Sequence, residues 1–416
     1  MAILRAFKAL RPDPQTAQSV SAVPYDVVNT SEARQQVAGN PLSFLHVSRP
    51  EIDLPDGTDP YSDTVYAKAK ENFGRLRREA PMFVEEVASL YLYKLQMGAH
   101  LQTGIAACCS VADYDLDLIR KHERTRQDKE DDRTRHILAL RAQTGPVFLT
   151  YRQTDEIRET VRGSEGAEPL YVFAAPDGVQ HTIWRLSEGT ADRLIKAFDY
   201  VPFLYIADGH HRAASASRAA ASLRADAPEN DPAAEYNYFL AVLFPSDQVQ
   251  ILAYNRVVRD LNGLSEQQFL HAVAERFTLS PDAIAAPSKK GDLSMYLGGR
   301  WYGLNAKRSG PIPTSATADS VLISSLDVTI LQDLLLDPIL GIKDLRTDKR
   351  IDFVGGMRGT AALESLVDSG KAAVAFSMFP VTVDDLMAVA DAELIMPPKS
   401  TWFEPKLRDG LLTHLI

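Results

Sequence analysis

An apolar segment that ends in Asp-Gly-His-His-Arg is the feature that most constrains how this chain can fold. Residues 203–207 read Phe-Leu-Tyr-Ile-Ala, and an alanine-rich run continues from the motif to Ala225. Glycine permits a tight turn, and alanine is the strongest helix former. The pattern therefore predicts a strand that ends at Asp208, a turn at Gly209 and a helix that begins near Arg212.

The same turn is a candidate anion site. A helix N-terminus offers free backbone N–H groups and a favourable dipole, here beside His210, His211 and Arg212. Asp208 can meet the cation that accompanies a phosphate. The structural alternative is that Asp208 caps the helix and the histidines are surface residues. Zinc ligation by the two histidines is a minor alternative, because no Cys or further His lies nearby at ligand spacing.

A second charged segment occupies residues 121–133, which read Lys-His-Glu-Arg-Thr-Arg-Gln-Asp-Lys-Glu-Asp-Asp-Arg. We predict a helix over 126–142 that Thr125 or Asp128 caps. Side chains at i, i+3, i+4 and i+7 share one helix face. On this helix that face carries Lys129, Asp132, Arg133 and His136.

His122 and Glu123 then lie in the loop before this helix, where a carboxylate can reach a ligand. The alternative is a solvated charged helix with i,i+4 pairs such as Asp131 with Arg135. Two weaker signals are Asp26 in a turn and the Pro-rich C-terminal tail. The tail's Lys399 and Lys406 are either phosphate contacts or parts of an extended strap.

Composition and charge limit the classes of partner that this protein can bind. Lys and Arg number 45 against 55 Asp and Glu, which gives a net charge of −10 and disfavours nucleic acid. The two cysteines, Cys108 and Cys109, are adjacent, and a disulfide between neighbours would be strained. No run reaches the ~18 apolar residues of a membrane helix, and the N-terminus lacks a signal peptide. We therefore expect a cytoplasmic protein without a membrane or nucleic-acid partner; the oligomeric state is left open.

The order of helical and strand patterns predicts the α+β class with a mixed sheet. Helices and strands alternate between 113 and 260 without strict βαβ repetition. We predict three regions: an N-terminal α/β region at 1–112, a core at 113–260 and a C-terminal α+β region at 261–416 that includes the Pro-rich tail.

Four motifs in order resemble one family of bacterial and archaeal proteins, the domain-of-unknown-function family ten-fifteen. They are Val-Pro-Tyr-Asp-Val-Val from Val23, His-Glu-Arg-Thr from His122, Asp-Gly-His-His-Arg from Asp208 and Met-Pro-Pro-Lys-Ser-Thr-Trp-Phe from Met396. The stretch 113–260 also resembles the ParB/sulfiredoxin-like fold and its free serine kinases. Large additions flank it on both sides.

The resemblance implies ATP-dependent phosphorylation of a free amino acid, with L-serine giving O-phospho-L-serine. ATP, or ADP in its place, and Mg²⁺ are the implied cofactors. Glu123 is the implied base, with Asp208 and His211 as further catalytic residues. The implied contacts with phosphates and substrate come from three groups of residues. Phosphate is assigned to Gly209, His210, His211, Arg212, Lys129 and Arg133, substrate to His122 and Thr125, and Mg²⁺ to Asp208.

Two alternatives compete with this reading. One is a ParB-like switch that binds or hydrolyses a nucleotide without phosphorylating a metabolite. The other is sulfiredoxin-like redox chemistry, which needs a reactive cysteine beside the phosphate loop. The sequence disfavours the second alternative, because no cysteine lies between His122 and Arg212.

Overall fold

The computed structural model describes residues 2–227, 231–307 and 318–416 as an α+β protein. The chain forms two compact units. The first consists of Met1–Val249 together with Pro405–Ile416, and the second of Gln250–Glu404. The C-terminal residues thus return to the first unit.

The helices are, in chain order, α1 (Ala17–Val20), α2 (Thr30–Val37), α3 (Leu45–Ser48), α4 (Asp63–Glu79), α5 (Val111–Asp115), α6 (Gln127–Leu140), α7 (Asp155–Ser164), α8 (Glu188–Phe198), α9 (His210–Asp226), α10 (Glu266–Arg276), α11 (Ala318–Ser324), α12 (Asp327–Leu331), α13 (Gly359–Asp368) and α14 (Val383–Asp391). Short 3-10 turns lie at Pro50–Asp53, Glu235–Asn237 and Gly356–Arg358, and a π-helical turn at Gln332–Leu336 follows α12. None of the helices in the described ranges is long and apolar enough to cross a membrane.

The strands are β1 (Leu4–Arg5), β2 (Leu10–Arg11), β3 (Phe83–Val84), β4 (Tyr91–Met97), β5 (His100–Ser110), β6 (Ile119–Arg120), β7 (Ala142–Gln143), β8 (Val147–Tyr151), β9 (Tyr171–Ala174), β10 (Gln180–Arg185), β11 (Leu204–Asp208), β12 (Tyr238–Pro245), β13 (Gln250–Leu252), β14 (Tyr254–Val258), β15 (Phe277–Pro281), β16 (Asp292–Leu297), β17 (Arg300–Ala306), β18 (Ile351–Gly355), β19 (Val374–Met378), β20 (Trp402–Glu404) and β21 (His414–Leu415).

A mixed sheet forms the centre of the first unit. Its strand order is β6-β11-β8-β12-β5-β4-β10-β9, and β1 also pairs with β5. The β6–β11 and β8–β12 pairs are parallel and the others antiparallel. Residues 102–110 of β5 are buried at every position, so both faces of the sheet are covered there. Both cysteines lie in this stretch as free, buried thiols.

The position of β6 beside β11 determines where the charged motifs meet. These two strands are parallel, with Leu204 opposite Ile119 and Tyr205 opposite Arg120. Parallel neighbours end at the same edge of a sheet. The loop after β6, which carries His122 and Glu123, therefore emerges beside the turn after β11.

The second unit has its own antiparallel sheet, in the order β15-β17-β16-β19-β14-β18. The hairpin predicted at Gly298 and Gly299 joins β16 to β17, and both glycines have positive φ. Leu363 of α13 packs with Val257, Tyr296 and Ala375 in this unit's apolar core. Residues 308–317, within the predicted C-terminal region, lie outside the described part of the chain.

These units group the residues differently from the three predicted regions. Strands β4 and β5, from region 1–112, belong to the same sheet as β8, β11 and β12. Strand β14, from region 113–260, belongs to the second unit. Strand periodicity indicates where strands occur but not which neighbours they choose, because pairing is decided between residues far apart in sequence.

Two local expectations also need correction. Helix α9 begins at His210 rather than near Arg212, so both histidines lie in its first turn. Helix α6 has Arg126 at its N-cap and no side-chain cap. Thr125 was expected as a cap, but its hydroxyl donates to a carboxylate oxygen of Glu130 instead.

Candidate active site

The turn between β11 and α9 has a backbone that only glycine adopts easily. Gly209 has φ of 97° and lies at the N-cap of α9, which has no side-chain cap. A Cβ at this position would lie 2.9 Å from Nε of Arg212. The first-turn N–H groups of a 17-residue helix are thus not capped by a side chain, and such groups attract anions.

Asp208 ends β11 between two cations. Its Oδ2 atom lies 3.3 Å from Nη2 of Arg212 and 3.3 Å from Nζ of Lys406. Burial opposes ionisation of this carboxyl, but the charges of Lys406 and Arg212 outweigh it and hold its pKa below the ordinary value. Asp208 is therefore a carboxylate at neutral pH, and the alternative in which it caps the helix is wrong, because its carboxylate pairs with the two cations instead.

Arg212 is buried and already engaged. Its Nη1 donates to the carbonyl of Pro146 and its Nη2 to Asp208, whereas Nε makes no hydrogen bond to the described residues. Burial alone would lower its pKa, but Asp208, Asp26 and Asp409 raise it above the ordinary value. The guanidinium fixes Asp208 and carries positive charge into this region.

His122, Glu123 and His210 form a compact cluster beside the turn. The rings of the two histidines meet edge to face with centroids 4.4 Å apart. Nε2 of His210 accepts from the backbone N–H of His122 at 3.4 Å, and Nδ1 of His210 lies 4.0 Å from Oε2 of Glu123. The loop after β6 is thereby held against the first turn of α9, with the Glu123 carboxylate about half exposed.

Both histidines of this cluster are neutral at pH 7. Burial lowers the pKa of His122 to about 4, although the backbone of Ile206 and the charge of Asp208 oppose that shift. Burial also lowers the pKa of His210 well below its ordinary value. Neither ring nitrogen of His122 makes a hydrogen bond of acceptable geometry with the described residues. One ligand atom from each of the three residues lies within 4.8 Å of the others, so the cluster could hold a metal ion.

The remaining predicted site residues have partners of their own. His211 is half-buried, and its Nε2 accepts from the backbone N–H of Arg126 at 3.0 Å; burial lowers its pKa. Lys129 donates to the hydroxyl of Tyr61 at 3.0 Å. Arg133 is largely buried, pairs with Asp132 at 2.7 Å and lies over a tyrosine ring. The structure thus brings Glu123 and His122 to the turn but directs Lys129 and Arg133 to other contacts.

One charged residue of this region escaped the sequence analysis. Asp409 follows Lys406 in the segment that returns to the first unit, and its backbone pairs with that of Ala22. Its carboxyl is buried, which raises its pKa to about 7 despite the nearby charges of Arg212 and Arg133. The sequence signal that could have identified Asp409 is the charged run Lys-Leu-Arg-Asp-Gly inside the Pro-rich tail. Lys399, by contrast, belongs to the second unit.

The fold and this edge of the sheet define an α+β protein with a charged strand–turn–helix site. A profile of the family described as "Protein of unknown function (DUF1015)" matches residues 4–329. The chain belongs to that family. No curated protein matches it in sequence.

Several solved structures resemble this chain weakly. A free serine kinase in complex with AMP is 12% identical, with 74% of this chain and 92% of that chain covered and a TM-score of 0.35. A conserved hypothetical protein from Pyrococcus furiosus is 12% identical, with 74% and 94% covered and a TM-score of 0.35. SbnI with a C-terminal truncation, from Staphylococcus aureus, is 11% identical, with 74% and 87% covered and a TM-score of 0.38. Function does not transfer at this level of similarity, so the site's own geometry must support any assignment.

Proposed function

We propose that this protein is a kinase that transfers a phosphoryl group from ATP to the hydroxyl of a free amino acid, with L-serine as the substrate. One observation carries the proposal. The Glu123 carboxylate stands 4.0 Å from His210, in the first turn of a helix whose N-terminus has no side-chain cap. A carboxylate beside a helix N-terminus that can bind phosphate suits phosphoryl transfer, because that reaction depends on positioning and electrostatics.

The nucleotide phosphates would bind at the start of α9. Its first-turn N–H groups from Gly209 onward donate to phosphate oxygens, and His211 stands half-buried beside them. Toward the nucleotide, Arg212 acts mainly by holding Asp208, since its Nη atoms already have partners. ADP is the alternative phosphoryl donor.

The residues at this turn fit a magnesium ion. Asp208 is ionised and about 28% exposed, and both of its cationic partners contact the same oxygen, Oδ2. Carboxylate, phosphate and water oxygens are the ligands that Mg²⁺ takes in nucleotide sites. When bound, the ion would neutralise charge on the transferring phosphate.

Glu123 would act on the acceptor hydroxyl. Its carboxylate takes the proton as the serine oxygen forms a bond to the γ-phosphorus and the bond from that phosphorus to the oxygen of ADP breaks. The neutral state of His122 and His210 matters here, because neither ring competes as a charged partner for Glu123 at pH 7. Thr125 and His122 remain proposed contacts for the substrate.

The test is phosphorus NMR of the purified protein with Mg²⁺, ATP and free amino acids, followed by the Glu123→Gln variant. We expect a new phosphomonoester signal that depends on serine. In Glu123→Gln we expect kcat to fall about 10² to 10⁴-fold, the contribution of a positioned base. Nucleotide affinity should change little, because the phosphates are held by the other loop.

The matched control is Asp128→Asn, which removes one carboxylate charge from the same segment. Asp128 pairs with Arg126 at 2.8 Å and is not part of the cluster. Its kcat should stay near the wild-type value. Retention of more than about a tenth of wild-type kcat in Glu123→Gln would remove the base role. Nucleotide hydrolysis that is indifferent to every amino acid would instead favour the nucleotide-binding switch.

A further inference from the structure

A buried carboxylate in the first unit has no part in the reaction proposed above. The side chain of Asp409 is 3% exposed, and its Oδ1 atom has no hydrogen-bond partner among the described residues. Buried polar atoms in native proteins are nearly always hydrogen-bonded, so an exception needs an explanation. A ligand or an ordered water would supply the missing partner.

Asp409 lines a small cavity together with two arginines, Arg133 and Arg212. Gly145 forms part of the wall. A Cβ at Gly145 would lie 3.0 Å from Oδ1 of Asp409 and 3.4 Å from Cδ of Arg212. The lack of a side chain at this position therefore keeps space open where the carboxylate and the arginine approach each other.

The charges around this cavity select a ligand that carries both signs. A simple anion would meet the carboxylate of Asp409, and a simple cation would meet Arg133 and Arg212. Arg133 pairs with Asp132 and Arg212 with Asp208, but Nε of Arg212 has no hydrogen-bond partner among the described residues and remains a donor for an anionic group. An ammonium and a carboxylate group on one carbon satisfy both requirements, since each can face the opposite charge.

The size of the cavity also favours a small ligand with an ammonium and a carboxylate group. Its volume of about 40 Å³ accommodates about three water-sized groups and is too small for a purine base. Thr144 and Ser48 add polar side chains to the lining. The head group of a small α-amino acid matches these dimensions and this chemistry.

We propose that the cavity is the amino-acid subsite, in which Asp409 accepts hydrogen bonds from the α-ammonium group and Arg212 attracts the α-carboxylate. The subsite rests on the proposed kinase function, because it names the group by which the substrate is recognised. It also links the cavity to the turn, since the same arginine holds Asp208. Asp409 is a binding residue and takes no part in proton transfer.

The test compares L-serine with L-glycerate, which keeps the primary hydroxyl and replaces the α-ammonium group by a hydroxyl. In Asp409→Asn we expect kcat/KM for serine to fall about 10 to 100-fold, through KM, because a hydrogen bond to a charged group is lost. The value for glycerate should stay unchanged or rise. Gly145→Ala is a second variant, since its methyl group would crowd Oδ1 and should also weaken serine binding.

Asp177→Asn is the matched control. Asp177 pairs with Arg408, the neighbour of Asp409, so this variant loosens the same segment without reaching the cavity. An equal loss for serine and glycerate in Asp409→Asn would overturn the subsite while leaving the kinase intact. Calorimetry with serine tests whether the protein binds the amino acid even if it does not phosphorylate it. Asp409-dependent binding without any phosphorylation would support the subsite and refute the kinase, and no binding together with no turnover would refute both.

Discussion

The two units hold a buried arginine in opposite ways. Arg212, in the first unit, is 8% exposed and pairs with Asp208, and nearby carboxylates raise its pKa. Arg256, in the second unit, is fully buried, and among the described residues it has no carboxylate partner. It donates instead to the carbonyl of Tyr254 and, at 3.0 Å, to that of Lys399. Burial lowers its pKa to about 9.

The difference separates a functional pattern from a structural one. Arg256 satisfies backbone carbonyls next to a strand and thereby fixes the path of Lys399, which has a positive φ of 60°. Arg212 pairs with Asp208 and lies near Asp26 and Asp409, and the charges of these carboxylates raise its pKa. Burial of a cation alone is thus a weak indicator of a site. Burial of a cation together with ionisable partners is a stronger one.

The largest effect should come from removing each guanidinium. Arg212→Met removes the buried guanidinium from Asp208 and leaves that carboxylate to Lys406, and breaking a buried ion pair costs about 3–5 kcal/mol of stability. Arg256→Met leaves only neutral carbonyls without a donor, for about 1–3 kcal/mol. Urea unfolding of both variants, followed by tryptophan fluorescence and circular dichroism, measures the two losses.

Comparing the two losses of stability tests whether the carboxylate partner makes Arg212 differ from Arg256. The double variant Arg212→Met with Asp208→Asn should recover part of the loss, because it removes the orphaned charge along with the guanidinium. Equal losses for Arg212→Met and Arg256→Met, with no recovery in the double variant, would show that the carboxylates do not distinguish the two arginines.

A second prediction uses pH to separate the carboxylates around Arg212. Burial raises the pKa of Asp409 to about 7, against an opposing effect of Arg212, Arg133 and Arg408 and a supporting effect of Asp26. A carboxyl whose folded-state pKa exceeds its unfolded value binds more protons in the folded state. Its ionisation therefore removes stability as pH rises from about 4, the unfolded pKa, to about 7.

Asp409→Asn should lose this dependence. Relative to the wild-type protein, the variant should become steadily more stable as pH rises from about 4 to about 7 and should gain no more above that. Asp208 has the opposite sign, because its pKa is lowered and its stabilisation is lost on acidification. Urea midpoints at several pH values measure both trends. A constant difference between Asp409→Asn and wild type across this range would contradict the raised pKa.

The sequence located the charged segments of this region better than it located their neighbours in the fold. The motif from Asp208 to Arg212 and the His-Glu pair were both identified, because a turn glycine and clustered ionisable side chains are local signals. That Glu123 lies near His210 depends on the parallel pairing of β6 with β11 across 83 or more residues of chain, a non-local choice that periodicity does not encode. The burial of Asp409 was missed for the same reason. The resemblance of residues 113–260 to the ParB/sulfiredoxin-like fold stays a prediction.

The smallest effect should come from Lys406, the second cation at Asp208. Its ammonium group lies 3.3 Å from Oδ2, the same oxygen that Arg212 contacts, and its side chain is 15% exposed. Lys406→Met should cost only about 1 kcal/mol of stability, because Arg212 still neutralises Asp208 and the aliphatic stem is kept. If the tail contributes to phosphate binding, nucleotide affinity measured by calorimetry should fall several-fold.

Lys399→Met is the control from the same Pro-rich stretch. Lys399 lies over the ring of Tyr254 in the second unit, so its loss should leave nucleotide affinity unchanged. An equal loss of affinity in both variants would mean that the tail acts as one structural strap, and unchanged affinity in both would confine the nucleotide to the turn and to α9.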